Sequence, residues 1–237
     1  LEVGSGFGEY TFEIAKNIKS LTSIEIDKYK YNFQIEFRNM FEYENITIIN
    51  KDFNKIDLNK KFDVILFCQS IGFFSNNTIK NSITNLLKKD GKVIILDLIN
   101  NNIFNLNRNI MKKRRKGKNL IYYALKDAQY FLIKNIPDDK RDEFSILFNK
   151  YYKILKKLKY DDSFYDVYKY EIKNSNDIKY FESFFKIKKH IYFSNIFLIP
   201  LILISRYKSL YFISKLDKLF KIKFLSFKYV KILYRLL

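Results

Sequence analysis

The chain opens on a short apolar stub, LEV, that runs straight into glycines at alternate positions, Gly4, Gly6 and Gly8. Through the following EYTFEIAKNI, the apolar residues Phe12, Ile14, Ala15 and Ile18 recur at helical spacing. A buried strand turning sharply into a helix is therefore predicted, with its N-terminal amides available to face a ligand. LTSIEI (21–26) predicts a second strand and the residues from about Tyr29 to Tyr43 a polar and aromatic helix. NITIIN (45–50) predicts a third strand. KFDVILFCQS (61–70) predicts a fourth, its near-continuous apolar run suiting a strand buried on both faces. IKNSITNLLKKDG (79–91) reads as an amphipathic helix stopped at Gly91, and KVIILDLIN (92–100) as a fifth strand. Strands alternating with helices at this spacing imply right-handed crossovers and a doubly wound, parallel α/β sheet.

Past Asn100 the pattern changes. Residues 101–180 are long, polar and helical in period, with a helix start at IPDDKRDE and a Tyr/Lys helix near 144–159, and predict an inserted helical cap. FFKIKKHIYF (184–193) returns to strand character, IFLIPLILISRYKSLYFISKLDKLF (196–220) is apolar and then amphipathic, and FLSFKYVKILYR (224–235) alternates as a final strand. The expected division is an α/β core at 1–100, a basic cap or lid at 101–183, and the last two strands at 184–237 with an apolar insertion between them.

Composition narrows the chemistry. One cysteine, Cys68, excludes a disulfide framework, and with His190 the single histidine no Cys/His metal constellation is available. A reducing, cytoplasmic setting without a metal is the expectation. The first residue already lies inside a core strand, with no initiator Met, so the chain reads as a piece of a longer protein. Lys, Asn, Ile, Phe and Tyr are abundant in the manner of A/T-rich coding, which accounts for part of the +19 formal charge. Its placement is more informative. Residues 1–100 hold 13 Lys+Arg against 13 Asp+Glu, whereas residues 101–237 hold 31 against 12, so the whole excess lies outside the core half.

Three acidic positions accompany the glycines. Glu2 stands two residues before Gly4, Glu25 closes the second strand, and Asp52 with Phe53 follows the third. A carboxylate at the end of the second strand suits a ribose diol, and an acid beside an apolar ring suits an exocyclic amine on a flat base. All three strand ends meet at one crevice in an open parallel sheet. Taken singly, Glu25 reads first as a strand-end cap, Asp52 as a turn cap, and Cys68 as a small buried apolar residue. The loop is GxGxG rather than the GxGxxG of dinucleotide enzymes.

In this order and spacing LEVGSGFG, SIEIDK, INKDF, FDVILFCQSIGFF and LKKDGKVIILDLIN resemble the motifs of the class I S-adenosylmethionine-dependent methyltransferases. That resemblance covers residues 1–100 and implies a Rossmann-like, mostly parallel seven-stranded sheet whose antiparallel final strand is SFKYVKILYR. It implies S-adenosyl-L-methionine as cofactor, with Gly4, Gly6 and Gly8 flanking its methionine part and Glu2 near the amino group. Glu25 would then hold the ribose, Asp52 and Phe53 the adenine, and Cys68 and Gln69 would line the pocket beside the methionine moiety.

Methyl transfer from a sulfonium needs alignment more than a dedicated catalytic residue. A hydroxyl acceptor needs a base, for which His190, Asp97 and a tyrosine of the cap are candidates. CQSIGFF and LDLIN look like enzymes acting on small molecules. The LEVG…T and IEID segments also echo rRNA adenine dimethyltransferases, yet CQSIGFF lacks the Pro-containing box with which those enzymes grip a base amino group. The expectation is a small-molecule or lipid-like acceptor, with an RNA-directed enzyme or a binding module as the alternative. The basic run at 111–118 suits phosphates or a solvated loop. IFLIPLILI (196–204) is too short to span a bilayer and suits either packing under the cap or peripheral contact with an anionic membrane.

Overall fold

The computed structural model describes residues 1–98, 120–158, 180, 185–195 and 226–235. It divides into two compact units, Leu1–Asn59 with Arg115–Lys169, and Lys60–Arg114 with Tyr170–Leu237.

In the first unit β1 (Glu2–Val3) pairs in parallel with β2 (Leu21–Ile24), placing Glu2 opposite Ser23 and Val3 opposite Ile24. Strand β2 pairs in parallel with β3 (Ile46–Ile49), Leu21 opposite Ile46. Helix α1 (Thr11–Ala15) joins β1 to β2, and α2 (Lys28–Met40) joins β2 to β3. Asp27 starts α2 by accepting from the amides of Tyr29 and Lys30 at 2.9 and 3.0 Å, which satisfies two of the donors a helix start leaves open. Phe33 and Phe37, one turn apart, carry its buried face and are fully enclosed. Each such ring contributes about 2 kcal/mol of burial.

What Phe33 and Phe37 pack against comes partly from far along the chain. Helices α4 (Leu120–Leu132) and α5 (Arg141–Lys157) share one hydrophobic cluster with Phe7, Phe12, Phe33 and Phe37. The Phe33 and Tyr151 rings meet edge to face at 5.3 Å, and those of Phe37 and Phe144 at 6.0 Å. Tyr151 donates to Glu36 at 2.8 Å, and the Tyr122 hydroxyl to that of Tyr152 at 2.5 Å. The helices expected as a cap are thus tied into the core of the unit that carries the glycine loop.

In the second unit β4 (Phe62–Cys68) pairs in parallel with β5 (Leu87–Leu98), and β7 (Ser226–Arg235) runs antiparallel between β5 and β6 (Phe185–Asn195). The strand order is β3-β2-β1 in the first unit and β4-β5-β7-β6 in the second. The α/β class and the antiparallel last strand are as expected. The parallel ladders, however, comprise five strands, β1 to β5.

One element boundary differs. The expected helix stop at Gly91 does not occur. Helix α3 (Asn76–Leu86) is capped by Ser75 and ends where Leu87 turns extended, at φ −89° and ψ 135°. Leu87 is fully buried and lies in register with Phe62, while the next pair is Val64 with Lys92. The segment 88–91 is therefore a bulge in β5. A Cβ on Gly91 would come within 2.7 Å of the Leu87 side chain, so the glycine serves close packing and not a helix cap.

The basic run 111–118 and the apolar stretch 196–204 lie outside the described residues. No helix among the described residues is long and apolar enough to cross a membrane.

Candidate functional site

The glycine loop leaves β1 under tight control. Gly4, Gly6 and Gly8 have φ of 71°, 63° and 89°, the left-handed region that side chains with a Cβ rarely adopt. Both Gly4 and Ser5 amides donate to the Ile24 carbonyl, at 2.8 and 3.2 Å, and the Gly8 amide donates to the Ser5 carbonyl at 3.0 Å. The Gly6 amide points elsewhere, to Glu25 Oε2 at 2.7 Å. Glu25 Oε1 in turn accepts the Asp27 amide at 2.8 Å. Burial pushes the Glu25 carboxyl above the usual range, opposed by the nearby Lys30 charge.

A polar triad that sequence reasoning missed holds the loop from beneath. Gln34 on α2 is fully buried. Its Nε2 donates to Ser5 Oγ at 2.9 Å and to the Gly6 carbonyl at 2.7 Å, while Ser23 Oγ lies 2.6 Å from Ser5 Oγ. A glutamine on the apolar side of a helix was the available signal, since such a position demands partners.

Glu2 sits below the loop with 1% of its surface exposed. Its Oε2 accepts from Thr11 Oγ1 at 2.6 Å, and its Oε1 is buried without a partner. Burial raises its carboxyl from 4.5 to about 8. Glu9, which was not among the expected site residues, is raised likewise to about 7 by burial, opposed by the nearby Lys30 charge. Three carboxylates therefore gather around the loop, with Lys30 the cation that acts on Glu9 and Glu25.

These shifts have a consequence for stability. A carboxyl held near 8 keeps a proton that the unfolded chain loses above about 4.5, so this contribution is full below about 4.5 and drains as pH rises through 8. The ligand-free chain is expected to melt several degrees lower at pH 8.5 than at pH 6. Glu2→Gln is expected to remove much of that difference, as followed by circular dichroism.

Asp52 does what a turn cap does: its Oδ1 accepts from the amide and the Nδ2 of Asn54, at 2.9 and 2.8 Å. Phe53 is buried, with 3% exposure. Asn50 secures the neighbouring strand end by donating to the Glu25 and Ile26 carbonyls at 2.8 and 3.0 Å. Glu2, Gly4, Gly6, Gly8, Glu25, Asp52 and Phe53 all belong to the first unit. Glu25 bonds the loop directly and Glu2 is held under it by Thr11.

Cys68 and Gln69 belong to the second unit. Cys68 ends β4 as a partly buried thiol outside any disulfide, and Gln69 takes φ 54° while its amide donates to the Leu96 carbonyl at 2.7 Å. A left-handed residue with a Cβ is uncommon, and this one turns the chain from β4 into the short Ile71–Phe73 helix. Of the candidate bases, Asp97 lies on β5 opposite Tyr229, and His190 on β6 opposite Lys231. Among the described residues no group of His, Cys, Asp and Glu could hold a metal ion.

A family model described as Methyltransferase domain matches residues 1–164. Ribosomal RNA small subunit methyltransferase A of Wigglesworthia glossinidia brevipalpis is 27% identical over 144 residues, which is 58% of this chain and 51% of that protein. The protein of the same name from Caldanaerobacter subterraneus subsp. tengcongensis is 43% identical over 58 residues, 24% of this chain and 21% of its own length. Among solved structures, a SAM dependent methyltransferase from Aquifex aeolicus aligns at a TM-score of 0.39 with 20% identity, covering 41% of this chain and 55% of that one. The match thus spans about half of the first curated relative and about a fifth of the second.

Proposed function

Because this chain belongs to the methyltransferase domain family, of the class I S-adenosylmethionine-dependent kind, we propose that it holds S-adenosyl-L-methionine on its glycine loop and directs the methyl group to a small-molecule or lipid-like acceptor. The observation that carries the reading is the pairing of a left-handed glycine loop with Glu25, whose carboxylate both anchors Gly6 and closes β2. Each Glu25 oxygen accepts one backbone amide. A carboxylate oxygen has two acceptor sites, so one remains on each for a ribose diol. Glu2 Oε1, buried and unpartnered, suits the ammonium of a methionine moiety, since a cationic donor relieves the desolvation that keeps this group protonated. Asp52 would receive an adenine amine on the oxygen not bonded to Asn54.

The donor brings an activated methyl group on a sulfonium. What this chain's residues contribute is placement: the loop, Glu25 and Glu2 fix the donor's two ends, and in-line alignment supplies most of the acceleration such a reaction needs.

The acceptor reading rests on the exit from β4. Gln69, Ser70 and Ile71 carry no proline, and Ser70 and Ile71 are buried with 2% and 1% exposure, so this segment is not built like the box that grips a base amino group. RNA is the second reading, favoured by the names of the curated relatives and by the positive charge of residues 101–237. Incubation with methyl-labelled S-adenosylmethionine and three acceptor pools separates them. Label in a small-molecule or lipid extract is expected. Label confined to ribosomal RNA would replace the first reading with the second, and no label in any pool would remove both.

A further inference from the structure

Two neighbouring residues of α2 grip a single peptide of the glycine loop, the one joining Gly6 to Phe7. Gln34 Nε2 donates to the Gly6 carbonyl at 2.7 Å, and the Phe33 ring meets the Phe7 ring edge to face at 5.4 Å. Gly6 is fixed from its other side as well, because its own amide donates to Glu25 Oε2 at 2.7 Å. The Gln34 amide group has no freedom to turn over. Its Nε2 carries two protons; one goes to the Gly6 carbonyl, which can only accept, and the other to Ser5 Oγ at 2.9 Å. Ser23 Oγ lies 3.2 Å from Gln34 Oε1 and 2.6 Å from Ser5 Oγ. With the Ser23 proton on Gln34 and the Ser5 proton on Ser23, the three buried side chains close a ring. One proton is left to leave that ring, and it lands on Gly6.

We propose that Gln34 is a positioning residue of the donor site: it sets the plane of the peptide joining Gly6 to Phe7, and through that peptide the seat of the donor's amino-acid end. This rests on the reading of the loop as the donor site. The N–H of a trans peptide points away from its carbonyl, so a Gly6 carbonyl drawn toward α2 turns the Phe7 N–H to the opposite face of the loop. Gly6, at φ 63° and with no Cβ, has little local steric preference of its own. The orientation therefore comes from the side chain that holds it. A seat set correctly in only about one molecule in ten binds its ligand about tenfold more weakly. The nucleoside end depends on other groups, Glu25 and Asp52, so the loss falls on one end of the donor.

Two ligands separate the ends. S-adenosylhomocysteine carries nucleoside and amino acid, whereas 5′-methylthioadenosine shares the nucleoside and lacks the amino acid. Gln34→Met keeps the length of the side chain without its N–H groups. In calorimetric titration it is expected to bind S-adenosylhomocysteine about tenfold more weakly than the wild type and 5′-methylthioadenosine within about twofold. Gln34→Glu, which keeps an acceptor toward Ser23 but lacks both amide protons, is expected to behave alike. Phe148→Leu loosens the same hydrophobic cluster from α5 and is expected to leave both affinities within about twofold. Equal losses for the two ligands in the Gln34 variants, no loss for either, or a selective loss in Phe148→Leu overturns the proposal while leaving the donor site standing. Failure of both ligands to bind the wild-type chain overturns the donor site and this proposal with it. Should neither Gln34 variant fold, the side-chain amide protons of Gln34 in the wild type decide by nuclear magnetic resonance. Their exchange is expected to slow with S-adenosylhomocysteine and not with 5′-methylthioadenosine, and equal slowing, or none, overturns the proposal.

Discussion

Gly8→Ala is expected to be among the most damaging single changes in the chain. At φ 89° an alanine is strained, and its Cβ would stand 2.4 and 2.8 Å from two carbons of the Phe12 ring. That ring cannot step aside, because Phe12 is fully buried and lies 4.3 Å from Phe37 and 5.2 Å from Tyr43, centroid to centroid. Left-handed strain of about 1–2 kcal/mol adds to overpacking of about 1–3 kcal/mol, a large share of the margin of an ordinary domain. Urea unfolding should show a midpoint shift of that size. The double variant Gly8→Ala with Phe12→Leu should recover the overpacking part and leave the backbone part. Full recovery would mean that the left-handed φ is not strained, and no loss in the single variant would mean that the loop is not held as described.

Glu25→Ala is expected to have the largest effect on the donor. The substitution removes an acceptor from the Gly6 and Asp27 amides and, on the proposed reading, from both ribose hydroxyls. Hydrogen bonds to a charged group are worth about 1.5–3 kcal/mol each, so loss of the pair to the ribose weakens S-adenosylmethionine binding by about 100-fold or more. Stability changes less, since relief of the buried charge offsets the two stranded amides. Glu25→Gln keeps one acceptor oxygen and should fall between the wild type and Glu25→Ala. Equal calorimetric affinities for all three proteins would remove Glu25 from the donor site.

The strand positions and the glycine loop were legible because they rest on local pattern. Apolar runs bounded by polar residues identify β2, β3 and β4, and alternate glycines before a helical period announce a left-handed turn. What escaped was decided by tertiary partners. Gln34 sits between Phe33 and Ile35 in a helix rich in aromatics, and nothing local says that its amide will hold Ser5 and Gly6. Glu9 reads as a solvated acid at a helix start, whereas its Oε2 folds back to 3.1 Å from where a Cβ on Gly6 would stand. The segment LLKKDG bears the signature of a helix stop, but the pairing of Leu87 with Phe62 outweighs it. Period alone located α5 and showed that it is amphipathic. That its aromatic face meets Phe33 and Phe37 depends on contacts more than 100 residues apart in sequence, which no window reveals.

The central claim is that the loop from Gly4 to Glu9, with Glu25, is where the methyl donor sits. Hydrogen exchange of the wild-type chain with and without saturating S-adenosylmethionine tests it most directly. The account predicts that the donor slows amide exchange in peptides covering residues 4–9 and 25–27. Saturable binding that protects other segments and leaves these unchanged would contradict it.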